Sequence, residues 1–153
     1  MEPMKIALAA DHAGYPLKQH LVEYLKKQGH EILDLGTDDP TVPSDYPDFA
    51  EAIALAVRDG RAERGILACG SGVGASIAAN KVKGIYAAVC HDHYSAHQGV
   101  EHDRMNILTV GARIIGPTLA EELADAFIAA QPSTEERHAR RFGKMQAIEA
   151  RGE

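Results

Sequence analysis

Between Ile66 and Asn80 the chain reads ILACGSGVGASIAAN. An apolar run ends on Cys69, passes Gly70, Gly72 and Gly74, and turns into a helix-like pattern. Glycines in such a turn let successive backbone N–H groups point inward, and a helix N-terminus adds positive potential. The turn can therefore hold an anion, whether a phosphate or the charge that develops on a reacting oxygen. The field that stabilises an oxyanion also favours a thiolate. A thiolate beside those amides could abstract a proton or attack a carbonyl. Cys69 also has a plainer reading, as a small buried strand residue, and for Cys90 in YAAVC that reading is the better one.

Other residues of chemical interest stand at the ends of apolar runs. Asp11 and His12 follow KIALAA, and Asp-His pairs serve acid–base sites as well as ordinary turns. His102 precedes the run NILTVGA and Arg113 follows it. Arg137, His138 and Arg141 share one helical face at i, i+1 and i+4, beside Glu135 and Glu136. They suit an anion or form a solvated basic face. Gly70 to Ala75 also fits G-x-G-x-x-A, with Asp92 about twenty residues on, a dinucleotide-binding pattern. That fingerprint belongs in a first strand–helix turn, and here it falls in the third. No Gly-Lys-Ser/Thr follows, so a P-loop is excluded. HDHYSAH (91–97) lacks a clear third metal-ligand set.

The elements that must position these residues alternate. KIALAA predicts a first strand, and DHAG a turn. Pro16 suits the first turn of a helix that carries Leu17, Leu21, Tyr24 and Leu25 and ends at Gly29. HEILDLG predicts a short second strand. The stretch TDDPTVPSDYP predicts an irregular loop. Asp48 can cap a second helix, with Phe49, Ile53, Ala56 and Val57 on one face. GILAC, GIYAAVC and NILTVGA predict three more strands. Helices are expected over 73–81, 93–101 and 118–130. Ser133 and Glu136 suggest a capping box for a last helix, with Phe142, Met145 and Ile148 on one side. Strand–helix alternation with continuously apolar strands predicts an α/β fold with a parallel sheet covered on both faces. Ligands then bind beyond the carboxyl ends of the strands, where the winding reverses.

Whole-chain properties narrow the function classes. A length of 153 residues predicts one domain, 1–153, with a single core. The formal charge of −6 argues against a general nucleic-acid binder. No apolar run approaches the ~20 residues needed to cross a bilayer. The start, MEPMKIALAADHAG, lacks the apolar region and cleavage site of a signal peptide, so a cytoplasmic location is expected. Two cysteines cannot make a framework of bridges and are expected to be free thiols.

Four stretches together, MKIALAADHAGYPLKQHL, SDYPDFA, CGSGVGASIAANKVKGIYAA and STEERHARR, resemble the ribose-5-phosphate isomerase B family, which also holds galactose-6-phosphate isomerase subunits. The resemblance covers nearly the whole chain. It implies a three-layer α/β/α sandwich, Rossmann-like, around a five-stranded parallel sheet. It implies a homodimer with active sites shared between subunits, whose C-terminal helix reaches the partner; pairing of dimers into tetramers is left open. It implies a sugar phosphate substrate, with no metal, nucleotide or other cofactor. Cys69 would move a proton between C1 and C2; some members use a glutamate six residues later, where this chain has Ala75. The amides of Gly70, Gly72, Val73 and Gly74 would stabilise the enediolate, and Ser71 would contact the reacting oxygens. Asp11 and His102 would assist ring opening, His102 from the other subunit. His12, Arg113, Arg137, His138 and Arg141 would gather around the phosphate, and Tyr46 would line the pocket.

One departure bears on the substrate. The family often reads Glu-His-Asn-Asp/Asn-Ala-Asn before the fifth strand; this chain reads Glu101-His-Asp-Arg-Met-Asn106. Asp103 replaces an amide that touches the sugar in relatives. The expected activity is interconversion of D-ribose 5-phosphate and D-ribulose 5-phosphate in the pentose phosphate pathway. The rivals are isomerisation of galactose 6-phosphate or allose 6-phosphate, a nucleotide-binding protein, and a phosphosugar sensor without chemistry.

Overall fold

The computed structural model describes residues 2–152. The chain runs β1 (Lys5–Ala10), α1 (Tyr15–Lys27), β2 (Glu31–Asp34), α2 (Tyr46–Arg58), β3 (Arg64–Cys69), α3 (Val73–Ala79), β4 (Ala87–Val89), α4 (His93–Asp103), β5 (Ile107–Gly111), α5 (Pro117–Ala129) and α6 (Glu136–Arg151). The sheet has the order β2-β1-β3-β5-β4, and every pairing is parallel. From β1 the chain winds to one side to make β2, then returns to make β3 on the other side. The winding therefore reverses between β1 and β3, which leaves a crevice at their carboxyl ends. Ala10 is in register with Ala68, and Cys69 with Gly111, so the residues that follow these three strands meet at that crevice.

Strand periodicity divides the core. Ile6, Leu8 and Ala10 of β1, with Ile66 and Ala68 of β3, face α1 and α5, where Leu21, Leu25, Leu123 and Phe127 are buried. Ala7, Ala9, Leu67 and Cys69 face the opposite way, against Ile53 and Ala54 of α2 and Ala75 and Ala79 of α3. Burying each large aliphatic side chain is worth about 1.5–3 kcal/mol, so both helical layers are held by the sheet. Cys69 thus points toward the α2–α3 layer. A charge is buried too: Lys18 donates to Asp34 Oδ1 and to the Thr37 carbonyl, both at 2.8 Å. The pair ties α1 to the segment after β2.

Four expectations need correction. The loop before α2 ends sooner than the prolines suggest: helix begins at Tyr46, with Asp45 at the N-cap and Pro47 in the first turn, where a missing N–H costs nothing. Asp48 is therefore inside the first turn rather than the cap. The Ser133–Glu136 capping box does not form. Ser133 Oγ instead accepts from the Glu135 N–H at 3.1 Å, and α6 starts one residue later. The fourth strand keeps only Ala87–Val89 of GIYAAVC and lies at the sheet edge, half-buried rather than covered. Asn80 blocks that edge, its amide accepting from the Ala87 N–H and donating to the Ala87 carbonyl, both at 2.8 Å. Such side-chain pairing discourages edge-to-edge association. Of the three apolar residues placed on one side of α6, only Phe142 is buried, between Tyr86 and the Arg104 guanidinium. Met145 and Ile148 remain 37% and 50% exposed.

Candidate active site

A cavity of about 490 Å³ opens at the winding reversal, lined by Asp11, Tyr46, Cys69, Gly70, Ser71, Val73, Gly74, Arg113 and Ile114. The strand ends explain the gathering. Asp11 follows β1, Cys69 ends β3, and Arg113 lies just after β5. Backbone bonds stitch the last two together: Ala112 N–H donates to the Cys69 carbonyl at 2.8 Å and Arg113 N–H to the Gly70 carbonyl at 3.0 Å. Arg113 is thereby carried over Gly70.

The glycine turn has a specific shape. Gly72 adopts φ +82°, in the left-handed region, and a Cβ there would fall 3.0 Å from the Val110 carbonyl carbon. Only glycine meets both demands. In this conformation the Gly72 N–H donates to Cys69 Sγ at 3.0 Å. Ser71 is exposed, and its Oγ accepts from the Val73 N–H at 3.2 Å. Gly74 leaves room for the Tyr46 ring, because a Cβ would lie 2.6 Å from Tyr46 Cζ. Asp11 is buried and its Oδ1 accepts from the Gly14 N–H at 2.9 Å. The arrangement sets a thiol, a carboxylate, a hydroxyl and a guanidinium around one hollow.

His12 does not line that cavity. Its Nδ1 accepts from the Ser44 N–H at 3.1 Å and stands 3.2 Å from Ser44 Oγ, while the His12 backbone N–H donates to the same oxygen at 2.9 Å. The bond to Nδ1 leaves Nε2 to carry the ring hydrogen. The triple contact fixes the loop beside the cavity mouth.

The remaining candidates form a second group. His102 and His138 stack with ring centroids 3.9 Å apart and planes inclined by 21°. Gln98 Nε2 lies 2.8 Å from His102 Nδ1, and Ser133 Oγ 2.9 Å from His138 Nδ1. Arg137 is paired with Glu135 at 2.9 Å, and Arg141 is exposed nearby on the same helix. Desolvation holds the His138 imidazole below its ordinary pKa of 6.5, and the charges of His102, Arg137 and Arg141 push the same way against Glu135. Arg137 and Arg141 are the cations of this group. Asp103 lines a different hollow of about 320 Å³ with Asn80, Tyr86, Met105 and Met145.

Topology explains why the two groups are apart. A helix that joins parallel strands runs back along the sheet, so His102, near the end of α4, sits toward the amino end of β5. Cys69 sits at the carboxyl end of its neighbour. β5 has five residues, about 16 Å at ~3.3 Å per residue. Sequence reasoning did not find Ser44, Ile114, Gln98 or His91. His91 Nε2 accepts from the Gly111 N–H at 2.9 Å, and burial keeps its pKa low. In the sequence His91 stood out only as part of HDHYSAH, weighed as a metal motif, and in a polar segment after the fourth strand. Among the described residues no group of three or more metal-ligating side chains is assembled.

Comparison with known proteins agrees with this architecture. Residues 6–145 match the family described as Ribose/Galactose Isomerase. Ribose-5-phosphate isomerase B of Escherichia coli is 44% identical over 147 residues, 96% of this chain and 97% of that protein. D-erythrulose-4-phosphate isomerase of Pectobacterium atrosepticum is 42% identical over 128 residues, 84% of each chain. The solved structure of ribose-5-phosphate isomerase B from Clostridium thermocellum superposes with a TM-score of 0.94 at 45% identity, covering 98% of this chain and all of that one. The chain belongs to the ribose/galactose isomerase family.

Proposed function

We propose that the protein interconverts D-ribose 5-phosphate and D-ribulose 5-phosphate, as one sugar phosphate isomerase domain spanning 1–153. It is an aldose–ketose isomerase. The observation that carries the reading is Cys69 Sγ held at 3.0 Å by a backbone N–H inside a cavity that also presents Asp11, Ser71 and Arg113. Isomerisation needs the sugar ring opened, a proton taken from C2 and returned at C1, and charge on the enediolate oxygens balanced between those steps. Asp11 assists ring opening. Cys69 as thiolate takes and returns the proton. The amides of the Gly70–Gly74 turn that are not engaged by Cys69 Sγ or Ser71 Oγ, with Ser71 Oγ itself, stabilise the oxygens on which charge develops.

The cavity of one chain holds only one arginine. Arg137, His138 and Arg141 form the matching cationic cluster, with His102 stacked on it. A second copy brings these four residues to the mouth, where they bind the phosphate with Arg113 and His12 while His102 serves ring opening. Apolar side chains left exposed on the chain support such a homodimer: Val73, Ile77 and Ile114 beside the cavity are 52–61% exposed, and Tyr94 on α4 is 64% exposed. Two free thiols and the absence of any helix, among the described residues, long and apolar enough to cross a membrane suit a cytoplasmic enzyme.

A second reading keeps the chemistry and changes the sugar. It is favoured by Asp103, a carboxylate where relatives place an amide, and by the four-carbon substrate named for one relative. An isomerisation assay across four-, five- and six-carbon aldose phosphates tests both. The expected result is highest kcat/KM with D-ribose 5-phosphate. A clear preference for another chain length would replace the substrate, and no turnover of any would end the isomerase reading.

A further inference from the structure

We infer that Thr109 is a positioning residue for Cys69, acting through the backbone of Gly72. The inference rests on Cys69 being the base. Thr109 is the one polar residue in β5, and none of its surface is exposed. Alternation along the strand sends its side chain, like that of Ile107, toward the α3 layer. There its Oγ1 donates to the Gly72 carbonyl at 3.0 Å. The other end of the same residue, the Gly72 N–H, donates to Cys69 Sγ at 3.0 Å. One glycine thus links a sheet hydroxyl to the thiol.

The link matters because Gly72, as a glycine, depends on its backbone contacts to keep its conformation. At φ +82° it has no side chain to hold it, and glycine reaches many other conformations at little cost. Its carbonyl also accepts from the Ser76 N–H at 3.1 Å, a bond that any first helical turn would make. That bond depends on α3, a helix of seven residues. The Thr109 bond comes instead from a strand paired on both sides, β3 and β4. It ties the turn to the rigid part of the molecule, the support a site group needs to keep its geometry. The competing explanation is that Thr109 only satisfies its own buried hydroxyl, as buried polar groups generally do.

The two are separated in the full-length protein carrying Cys90→Ala, so that Cys69 is its single thiol. Alkylation by iodoacetamide at pH 7 reads the sulfur directly, without reference to turnover. Thr109→Val should slow alkylation about threefold or more, because thiolate reactivity follows its hydrogen-bond environment. It should lower kcat about tenfold with KM within about twofold, the pattern of an interaction made only in the transition state. Thr109→Ser, which keeps the donor, should restore both. If Thr109→Val does not fold, Thr109→Ala against Thr109→Ser makes the same comparison. Alkylation and kcat unchanged in the donor-less variant, with only the melting temperature lowered, would overturn the inference. Failure of the parent reading looks different: a Cys69→Ala enzyme that still turns over would remove the base while leaving the alkylation result intact.

Discussion

Cys69 and Cys90 are both buried thiols at strand ends, and their surroundings divide them. Cys90 Sγ lies 3.9 Å from Met105 Sδ, and burial, with a smaller contribution from Asp92, pushes its pKa up to about 11. It is a core residue near neutral pH. Cys69 instead receives a backbone N–H and faces the cavity. Cys69→Ala should therefore lower isomerisation by about 100-fold or more, the usual contribution of a positioned acid–base group. Circular dichroism should stay that of the parent. Cys90→Ala should keep its activity. Near-normal turnover by the Cys69 variant would remove it from the mechanism. Asp103 is the residue that the second reading of the substrate depends on, and in a single chain it lines a hollow apart from the Cys69 cavity. Asp103→Asn should change the ranking of aldose phosphates by kcat/KM and leave thermal stability close to the parent; an unchanged ranking would mark the carboxylate as incidental.

Helix α4 seats Ala96 and Val100 in the core, whereas α6, which carries Arg137, His138 and Arg141, behaves differently from the helices that build it. α6 buries only His138 and Phe142, and is latched by Glu149, which accepts from Tyr86 Oη and the Gly84 N–H, both at 2.8 Å. Its basic face was legible from i, i+4 spacing, because Arg137 and Arg141 need only helix geometry to align. The core helices and the parallel sheet were legible for the same reason: period 3.6 and unbroken apolar strands are local signals. The cap of α6 was not, since Ser133 accepts from the N–H two residues on, a local turn that competes with the cap, and also meets His138. The pairing of His102 with His138 was also hidden, being tertiary. Titration offers a check on this pair. The folded pKa of His138 lies below 6.5, so as pH falls under that value the unfolded chain takes up the proton first and stability declines. His138→Asn should flatten the fall of melting temperature between about pH 7 and pH 5 relative to the parent. Equal slopes would show that another group governs it.

The molecule as a whole has a formal charge of −6, yet it gathers its candidate site residues in two groups that a single chain keeps apart, one of them basic. Asp11, Cys69, Ser71 and Arg113 could be foreseen at one edge of the sheet, because ligand crevices form where strand order reverses. That His102 falls at the opposite end of the strands was legible too, since it precedes β5 and Arg113 follows it; what the sequence could not reveal is the order β2-β1-β3-β5-β4, in which β5 lies between β3 and the edge strand β4. Removing residues from Ser133 onward should weaken substrate binding and dimerisation together, by calorimetry and light scattering respectively. The direct measurement mixes two inactive proteins, Cys69→Ala and Arg137→Ala, under conditions that exchange subunits, with exchange followed by a mass-tagged chain. When each active site draws Cys69 from one chain and Arg137 from the other, one site of the mixed dimer carries both lesions and the other carries neither. Activity should then return to roughly a quarter of the wild-type value, half of the dimers being mixed with one intact site each. If verified exchange restores no activity, Cys69 and Arg137 do not meet across two chains, and the shared site is contradicted.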